Sequence, residues 1–282
     1  MSISLLPVPA LLSIACALAA ADGTTATERA PLLQRPIVVG ASVGAGFGAT
    51  VGRVLGEGDD ALRVIDMAEV LRAALADDRG PIPSEASTWL FTDAPGRGAE
   101  QIAAATAHDA TLVVGVDFLF WFGYGPLPVH EPDPKAARLA KLEDGLALLE
   151  ELDCPVVVGD FPDMRGASTT MLPPQLIPAP EILQALNARL AAWAAARPDR
   201  LVVPLAQTVE RLRAGQTPVL GGVPFRIEGD PRLLQADGLH PTLEGLVLMV
   251  ALAREALVDA GLTRREEWNA DPEAVLARLK KR

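Results

Sequence analysis

A late turn of this sequence places an acid close to one of the chain's three histidines. Asp237 lies three positions before His240, in the segment Asp-Gly-Leu-His-Pro. At this spacing a carboxylate can orient an imidazole and set which ring nitrogen carries the proton, so the histidine can serve as a general base. The alternative interpretation is structural: Asp237 would cap the turn, and His240 would be a solvated loop residue.

A general base needs a nucleophile, and Ser42 is the candidate. It lies in the glycine-rich segment 40–48, directly after the apolar residues 37–39, and we expect a helical stretch ending near Leu55 to follow. A serine between the first strand and the first helix would lie where free backbone amides and the helix dipole favour developing negative charge. The Ser42 hydroxyl and the His240 imidazole are therefore predicted to meet in one cleft.

The same glycines fit two other motifs. Gly44 and Gly46, with Asp66 further along, have the spacing of a dinucleotide fingerprint, although four residues separate the end of the strand from Gly44. Ser42 between its flanking glycines also matches the nucleophile elbow of α/β-hydrolases, but that fold needs several strands before its serine, and too few residues precede it here. A dinucleotide-binding oxidoreductase therefore stays open as an alternative function.

The pattern of apolar residues predicts the elements that position these groups. Short apolar runs predict strands at 37–39, 62–65, 89–91, 112–116, 156–158 and 201–203. Longer stretches of helical period predict helices at 136–152, 180–196 and 242–260. This alternation is typical of a three-layer α/β/α sandwich with a mostly parallel central sheet, whose ligand site lies beyond the carboxyl ends of the strands. Residues 161–179 and 215–235 are predicted to be long loops.

Together these motifs resemble those of the SGNH, or GDSL-type, hydrolase superfamily over most of residues 36 to 261. Gly40-Ala-Ser42 stands for the Gly-Asp-Ser block of that family, and Asp237-x-x-His240-Pro matches its last block. The resemblance implies a flavodoxin-like SGNH hydrolase fold and a serine esterase with Ser42, His240 and Asp237 as catalytic residues. The alanine at position 41 removes a hydrogen-bonding group of the family pattern but no catalytic atom.

The resemblance also implies an oxyanion hole formed by Ser42, Gly96 and Asp117, with Gly98 as the alternative register for the glycine block. Asp117 departs from the pattern, because the family has an asparagine there. An ionised carboxylate would repel the tetrahedral intermediate, and the loss of one oxyanion donor typically costs about 3 kcal/mol. Three outcomes stay open: a protonated Asp117 that donates, a hole formed by the two backbone amides alone, or a catalytically impaired binding protein.

The aromatic run 118–124 follows Asp117. Phe118 and Trp121 are candidate substrate-binding residues that could line an acyl or sugar pocket, while the alternative is a plain buried strand and turn. The expected partner is a small-molecule or glycan ester, either lipid-like or an acetylated carbohydrate. No cofactor is expected, and no metal, because His108 and His130 have no ligand spacing with each other or with a cysteine.

The charge and composition of the chain bear on nucleic-acid binding and on the number of domains. The formal net charge of -11 argues against nucleic-acid binding, and half of the 282 residues are hydrophobic, enough for one large core. Residues 36–262 are therefore predicted to form one hydrolase-like domain, with 263–282 as its C-terminal helical extension.

The N-terminal residues carry a targeting signal in our interpretation. Residues 1–21 contain an apolar run without charged side chains and are predicted to be a secretory signal peptide, followed by a linker at 22–35. The protein is therefore expected to be secreted or periplasmic, without membrane insertion after removal of the signal. Cys16 is a candidate for lipid modification. The oligomeric state does not follow from the sequence.

Overall fold

Four parallel strands form the central sheet of the protein. The computed structural model describes residues 32–55 and 59–281. Within them, the sheet contains β1 (Pro36–Val38), β4 (Leu112–Gly115), β5 (Val156–Gly159) and β6 (Arg200–Val203), in the order β1-β4-β5-β6. Two antiparallel hairpins accompany the sheet: β2 (Thr50–Leu55) with β3 (Asp59–Val64), and β7 (Val219–Leu220) with β8 (Val223–Pro224).

Alternate side chains of the strands face opposite sides of the sheet. Val38 and Val114 belong to one hydrophobic cluster, whereas Ile37, Val39 and Val113 belong to the other. This alternation follows from the two-residue repeat of an extended strand. Because both faces are covered, the strands are mainly apolar, and Arg200 at the start of β6 is the charged exception.

Helices cover both faces. One layer contains α1 (Met67–Ala74), α7 (Leu243–Asp259) and α8 (Pro272–Lys280). The other contains α2 (Ala94–Ala107), α3 (Phe120–Tyr124), α4 (Pro134–Glu150) and α5 (Pro180–Ala195). A further helix, α6 (Leu205–Arg213), follows β6 directly. In the described ranges 32–55 and 59–281, no helix is long and apolar enough to cross a membrane.

The predicted α/β/α sandwich with a mostly parallel sheet is confirmed. The strands predicted at 37–39, 112–116, 156–158 and 201–203 all belong to the sheet, and the three predicted helices are α4, α5 and α7. The segments 161–179 and 215–235 are long loops, apart from one short 3-10 helix (Pro174–Leu176) and the hairpin β7–β8. The predicted signal peptide, Cys16 and most of the predicted linker lie outside the described residues.

Two local predictions were wrong. No helix follows Ser42, because residues 42–48 form successive turns and the chain then enters β2. The residues 62–64 of the predicted strand pair with β2 in a hairpin and do not join the central sheet. Residues 89–91 lie in a 3-10 helix (Thr88–Thr92) in which Leu90 is buried while Trp89 and Phe91 are exposed. The strand was predicted from three consecutive apolar residues, and a run that short does not distinguish a strand from a turn of 3-10 helix.

An irregular segment at residues 83–85 lies beside β1, at the edge of the central sheet. Val38 donates from its amide to the Pro83 carbonyl at 3.0 Å, and Glu85 donates to the Val38 carbonyl at 2.8 Å. The segment thus extends the hydrogen bonding of the sheet at its β1 edge and leads directly toward the turn that contains Ser42.

Candidate active site

Ser42 lies in a tight turn at the carboxyl end of β1, which we call the serine turn (residues 40–48). Its backbone is closed by hydrogen bonds from the Ala45 amide to the Ala41 carbonyl at 3.0 Å and from the Phe47 amide to the Ser42 carbonyl at 2.9 Å. Gly46 has a φ of 71°, and a Cβ there would lie 2.0 Å from the Ile65 carbonyl oxygen. Only glycine fits this position, which explains why the chain turns here instead of continuing as a helix.

The structure brings Ser42, His240 and Asp237 together. The Ser42 Oγ lies 3.0 Å from His240 Nε2, and His240 Nδ1 lies 2.7 Å from Asp237 Oδ2. His240 is 3% exposed, so its orientation is fixed by these contacts and by packing. With the proton on Nδ1, the ring presents a lone pair at Nε2 toward the serine hydroxyl, which is the tautomer that a general base requires.

Asp237 is held as an acceptor by the backbone that follows it. Its Oδ1 accepts hydrogen bonds from the amides of Leu239 at 2.9 Å and His240 at 3.0 Å. Burial acts to raise the pKa of the Asp237 carboxyl, but the hydrogen bonds from the His240 ring and from these amides outweigh it and lower the pKa below its usual value. The carboxylate is therefore ionised at neutral pH and can stabilise an imidazolium.

Two residues that the sequence did not indicate support this arrangement. Phe47 packs against His240 with ring centroids 4.5 Å apart. Gln235 donates from its side-chain amide to the carbonyls of Phe47 and Pro241, at 2.7 Å each, and thereby joins the serine turn to the loop 233–242, which we call the histidine loop. No sequence motif assigns a role to either residue. Their contacts connect segments that are distant in sequence.

The Asp117 carboxylate accepts hydrogen bonds from the backbone of the serine turn. Its Oδ1 accepts from the amides of Ala41 at 3.0 Å and Gly44 at 3.3 Å, and its Oδ2 accepts from the Val43 amide at 2.8 Å. Burial raises the pKa of Asp117 despite these three donors. Asp117 therefore lies beside the serine turn, and both of its oxygens serve as acceptors that hold the turn.

Other predicted site residues lie elsewhere. Gly96 is in the first turn of α2, where its amide donates to the Asp93 side chain at 3.1 Å, and it does not line the cavity that contains Ser42. The alternative, Gly98, packs against Phe118 and other core side chains. Phe118 itself is fully buried in the core. These placements do not support an oxyanion role for Gly96 or a substrate contact for Phe118, whereas Trp121 does line the cavity.

The residues of the dinucleotide interpretation have other partners. The Gly44 amide donates to Asp117, and Gly46 packs against the backbone of Ile65. Asp66 caps α1 by accepting from the Glu69 amide at 2.8 Å. Because no helix begins at these glycines, the turn lacks the helix N-terminus that would bind a pyrophosphate. In the part of the chain that the structure covers, no cluster of His, Cys, Asp or Glu could hold a metal ion.

Ser42 and His240 open into a cavity of about 620 Å³ at the carboxyl edge of the sheet. Asp117 follows β4 and Asp160 follows β5, so consecutive strands deliver polar groups to this edge, as expected for a parallel α/β sheet. A hydroxyl, an imidazole and a carboxylate linked in series beside a cavity are able to perform nucleophilic acyl transfer.

Comparison with known proteins gives distant structural similarity. The sequence matches no protein-family model and no curated protein sequence. The structure is similar to the C-terminal catalytic domain of peptidoglycan O-acetyltransferase A from Streptococcus pneumoniae, with 13% identity over 80% of this chain and 93% of that chain and a TM-score of 0.42. It is also similar to TesA, with 18% identity over 80% of this chain and 98% of that chain and a TM-score of 0.42. A candidate acylhydrolase from Bacteroides fragilis gives 15% identity, 82% and 89% coverage and a TM-score of 0.46.

Proposed function

We propose that this chain is a serine esterase that hydrolyses carboxylic esters through Ser42, His240 and Asp237, and that it is a member of the SGNH hydrolase superfamily. The observation that carries the proposal is the continuous series of contacts from the Ser42 hydroxyl through the imidazole to the Asp237 carboxylate, at 3.0 and 2.7 Å. A serine is a weak nucleophile unless a positioned base takes its proton, and this geometry supplies that base.

In the proposed reaction, His240 Nε2 takes the proton of Ser42 as Oγ attacks the ester carbonyl carbon. The tetrahedral intermediate then expels the alcohol, which leaves with the proton from His240. Water, activated by the same imidazole, attacks the acyl-serine and releases the carboxylic acid. Asp237 remains ionised throughout and stabilises the imidazolium.

The oxyanion of the intermediate needs hydrogen-bond donors. Within residues 32–55 and 59–281, the Ser42 amide donates to no protein group, so it is free for this role. The Thr88 hydroxyl also lines the cavity and is a second candidate donor. Asp117 contributes by holding the turn that carries Ser42, in our proposal, and not by donating to the oxyanion itself.

The test is the hydrolysis of p-nitrophenyl acetate and butyrate by the wild type and by Ser42→Ala. Loss of the nucleophile should lower kcat/KM by at least about 10³-fold, because the proton acceptor then has no nucleophile to activate. Ser84→Ala, a half-buried serine outside the cavity, is the matched control and should retain activity. Equal rates for the wild type and Ser42→Ala would reject the esterase and favour a binding protein that does not turn over.

A further inference from the structure

We propose that the substrate of this site is a neutral ester whose long apolar acyl chain fills the cavity beside Ser42. This inference rests on the proposed esterase function and narrows its substrate class. It separates two classes that the sequence left open, lipid-like esters and acetylated carbohydrates.

The size and chemistry of the cavity are the first argument. Its volume of about 620 Å³ lies within the range of about 300–1,000 Å³ that is typical of pockets enclosing a small ligand. An acetyl group would leave most of this space empty. Beyond Ser42 and His240, the walls are mainly aromatic, thioether and aliphatic side chains, among them Phe120, Trp121, Phe161, Met164, Met171 and Leu176.

The polar groups of the cavity are too few for a carbohydrate. Besides Ser42, His240 and Asp117, the lining offers the side chains of Thr88, Thr170 and Asp160 and the indole N–H groups of Trp89 and Trp121 for polar contacts. A sugar ring carries several hydroxyl groups, and each one buried without a partner opposes binding. An alkyl chain has no such requirement and gains from every methylene that it buries.

The mouth of the cavity is the second argument. Phe47, Trp89 and Phe91 are the aromatic residues among the large hydrophobic side chains that are exposed in the described chain, and all three line this cavity. Trp89 and Phe91 stack with ring centroids 6.0 Å apart, and Phe91 lies 5.7 Å from Trp121 inside. A row of apolar rings thus leads from solvent to the interior, as expected where an apolar ligand enters.

Among the residues that the structure describes, Asp160 is one of the two carboxyl groups that line the cavity, and the lining contains no Lys or Arg. Its carboxylate lies at the end of β5 and accepts a hydrogen bond from the Ala206 amide at 2.6 Å, at the start of α6. Burial raises the pKa of this carboxyl, which reflects the low polarity around it. An anionic acyl group would lose its hydration in these apolar surroundings and would find no Lys or Arg in the described lining to pair with, and the protein as a whole carries a formal charge of -11. The substrate should therefore carry no negative charge on its acyl part.

The test is a series of p-nitrophenyl esters from acetate to dodecanoate with the full chain. Full burial of one methylene would raise kcat/KM by about fourfold, and octanoate has six more methylenes than acetate. Even at about 1.8-fold per methylene, less than half of that free energy, octanoate should exceed acetate by about 30-fold. Replacing Leu176 or Met171 by Trp fills the cavity and should lower the octanoate-to-acetate ratio at least tenfold. Val129→Trp is the control, because Val129 is 93% exposed and lies outside the cavity.

A second arm tests the charge of the acyl chain. The wild type should prefer p-nitrophenyl valerate to the hemiglutarate, which ends in a carboxylate, and Asp160→Asn should reduce this preference at least tenfold. The carboxamide of this variant keeps a side-chain oxygen that can accept from the Ala206 amide. Ser42-dependent hydrolysis that is flat or falls with chain length would overturn this inference and leave the esterase proposal standing. Absence of Ser42-dependent hydrolysis for every ester would overturn both.

Discussion

Replacing Asp117 by asparagine tests how the serine turn is held. The carboxylate accepts from three turn amides, and the carboxamide has only one oxygen. If that oxygen keeps the bonds from Ala41 and Gly44, the side-chain NH₂ group faces the Val43 amide, which stood 2.8 Å from Oδ2. Two donors would then oppose each other. The side chain has little room to turn away, because a Cβ on Gly40 would lie only 2.2 Å from Oδ1.

The size of the effect follows from the lost bond. A hydrogen bond to a charged acceptor contributes about 1.5–3 kcal/mol, equivalent to about 10- to 150-fold in an equilibrium. Part of this energy holds Ser42 in place for attack, so Asp117→Asn should lower kcat about tenfold or more on p-nitrophenyl butyrate. Asp133→Asn, at the exposed N-cap of α4, is the control and should leave kcat unchanged.

The pH dependence of stability should also differ between the wild type and Asp117→Asn. The pKa of Asp117 is higher in the folded chain than its ordinary value, so its contribution to stability is present below the unfolded pKa and is lost as the pH rises through the folded pKa. Asparagine has no proton to lose at this position. The Tm of the wild type should therefore fall relative to that of Asp117→Asn as the pH rises through the folded pKa of Asp117.

Enzyme kinetics and thermal unfolding of the same preparations test whether Asp117 anchors the serine turn. A lowered kcat, together with a wild-type Tm that falls relative to the Tm of the variant as the pH rises, supports an anchor that positions Ser42. A kcat at or above the wild-type value would refute the anchor role and would indicate that a donor at this position assists the reaction.

Three further substitutions follow from single contacts. Asp237→Asn should lower kcat by at least about 10³-fold, since the carboxamide favours the wrong tautomer of His240, while the Tm changes little; a kcat within tenfold of the wild type would contradict this. Gln101→Leu removes the acceptor of the buried Gly40 amide at 2.7 Å and should lower the free energy of unfolding by about 1–3 kcal/mol in a urea titration; an unchanged midpoint would count against it. Gln235→Ala breaks the bridge between the serine turn and the histidine loop and should lower both Tm and kcat; a lowered Tm with unchanged kcat would make the bridge purely structural.

The sequence predicted the parts of the site that depend on local spacing and on the sheet. Asp237 and His240 are three positions apart, so their contact needs only one loop. Ser42 follows the first strand, and parallel strands bring their carboxyl ends to one edge, so the meeting of the serine and the histidine could be expected from the order of elements. Three strands of the sheet, β1, β4 and β5, are continuous apolar runs because both of their faces are buried.

The remaining features depend on contacts that no local pattern records. The glycines of the serine turn suggested the start of a helix, but Gly46 and Gly48 both have a φ of 71°, which ends any helix there. The expected glycine block was assigned to Gly96, which belongs to the first turn of α2. Phe47 and Gln235 contribute only through tertiary packing, so no spacing rule could indicate them.

Labelling with a fluorophosphonate tests the central claim most directly, because this reagent reacts with a serine only when a neighbouring base activates it. Intact-mass and peptide analysis of the wild type should show one adduct per chain, on Ser42, and the Ser42→Ala and His240→Ala variants should show none. No adduct on the wild type, an adduct on another residue, or labelling of His240→Ala at the wild-type rate would contradict the assignment.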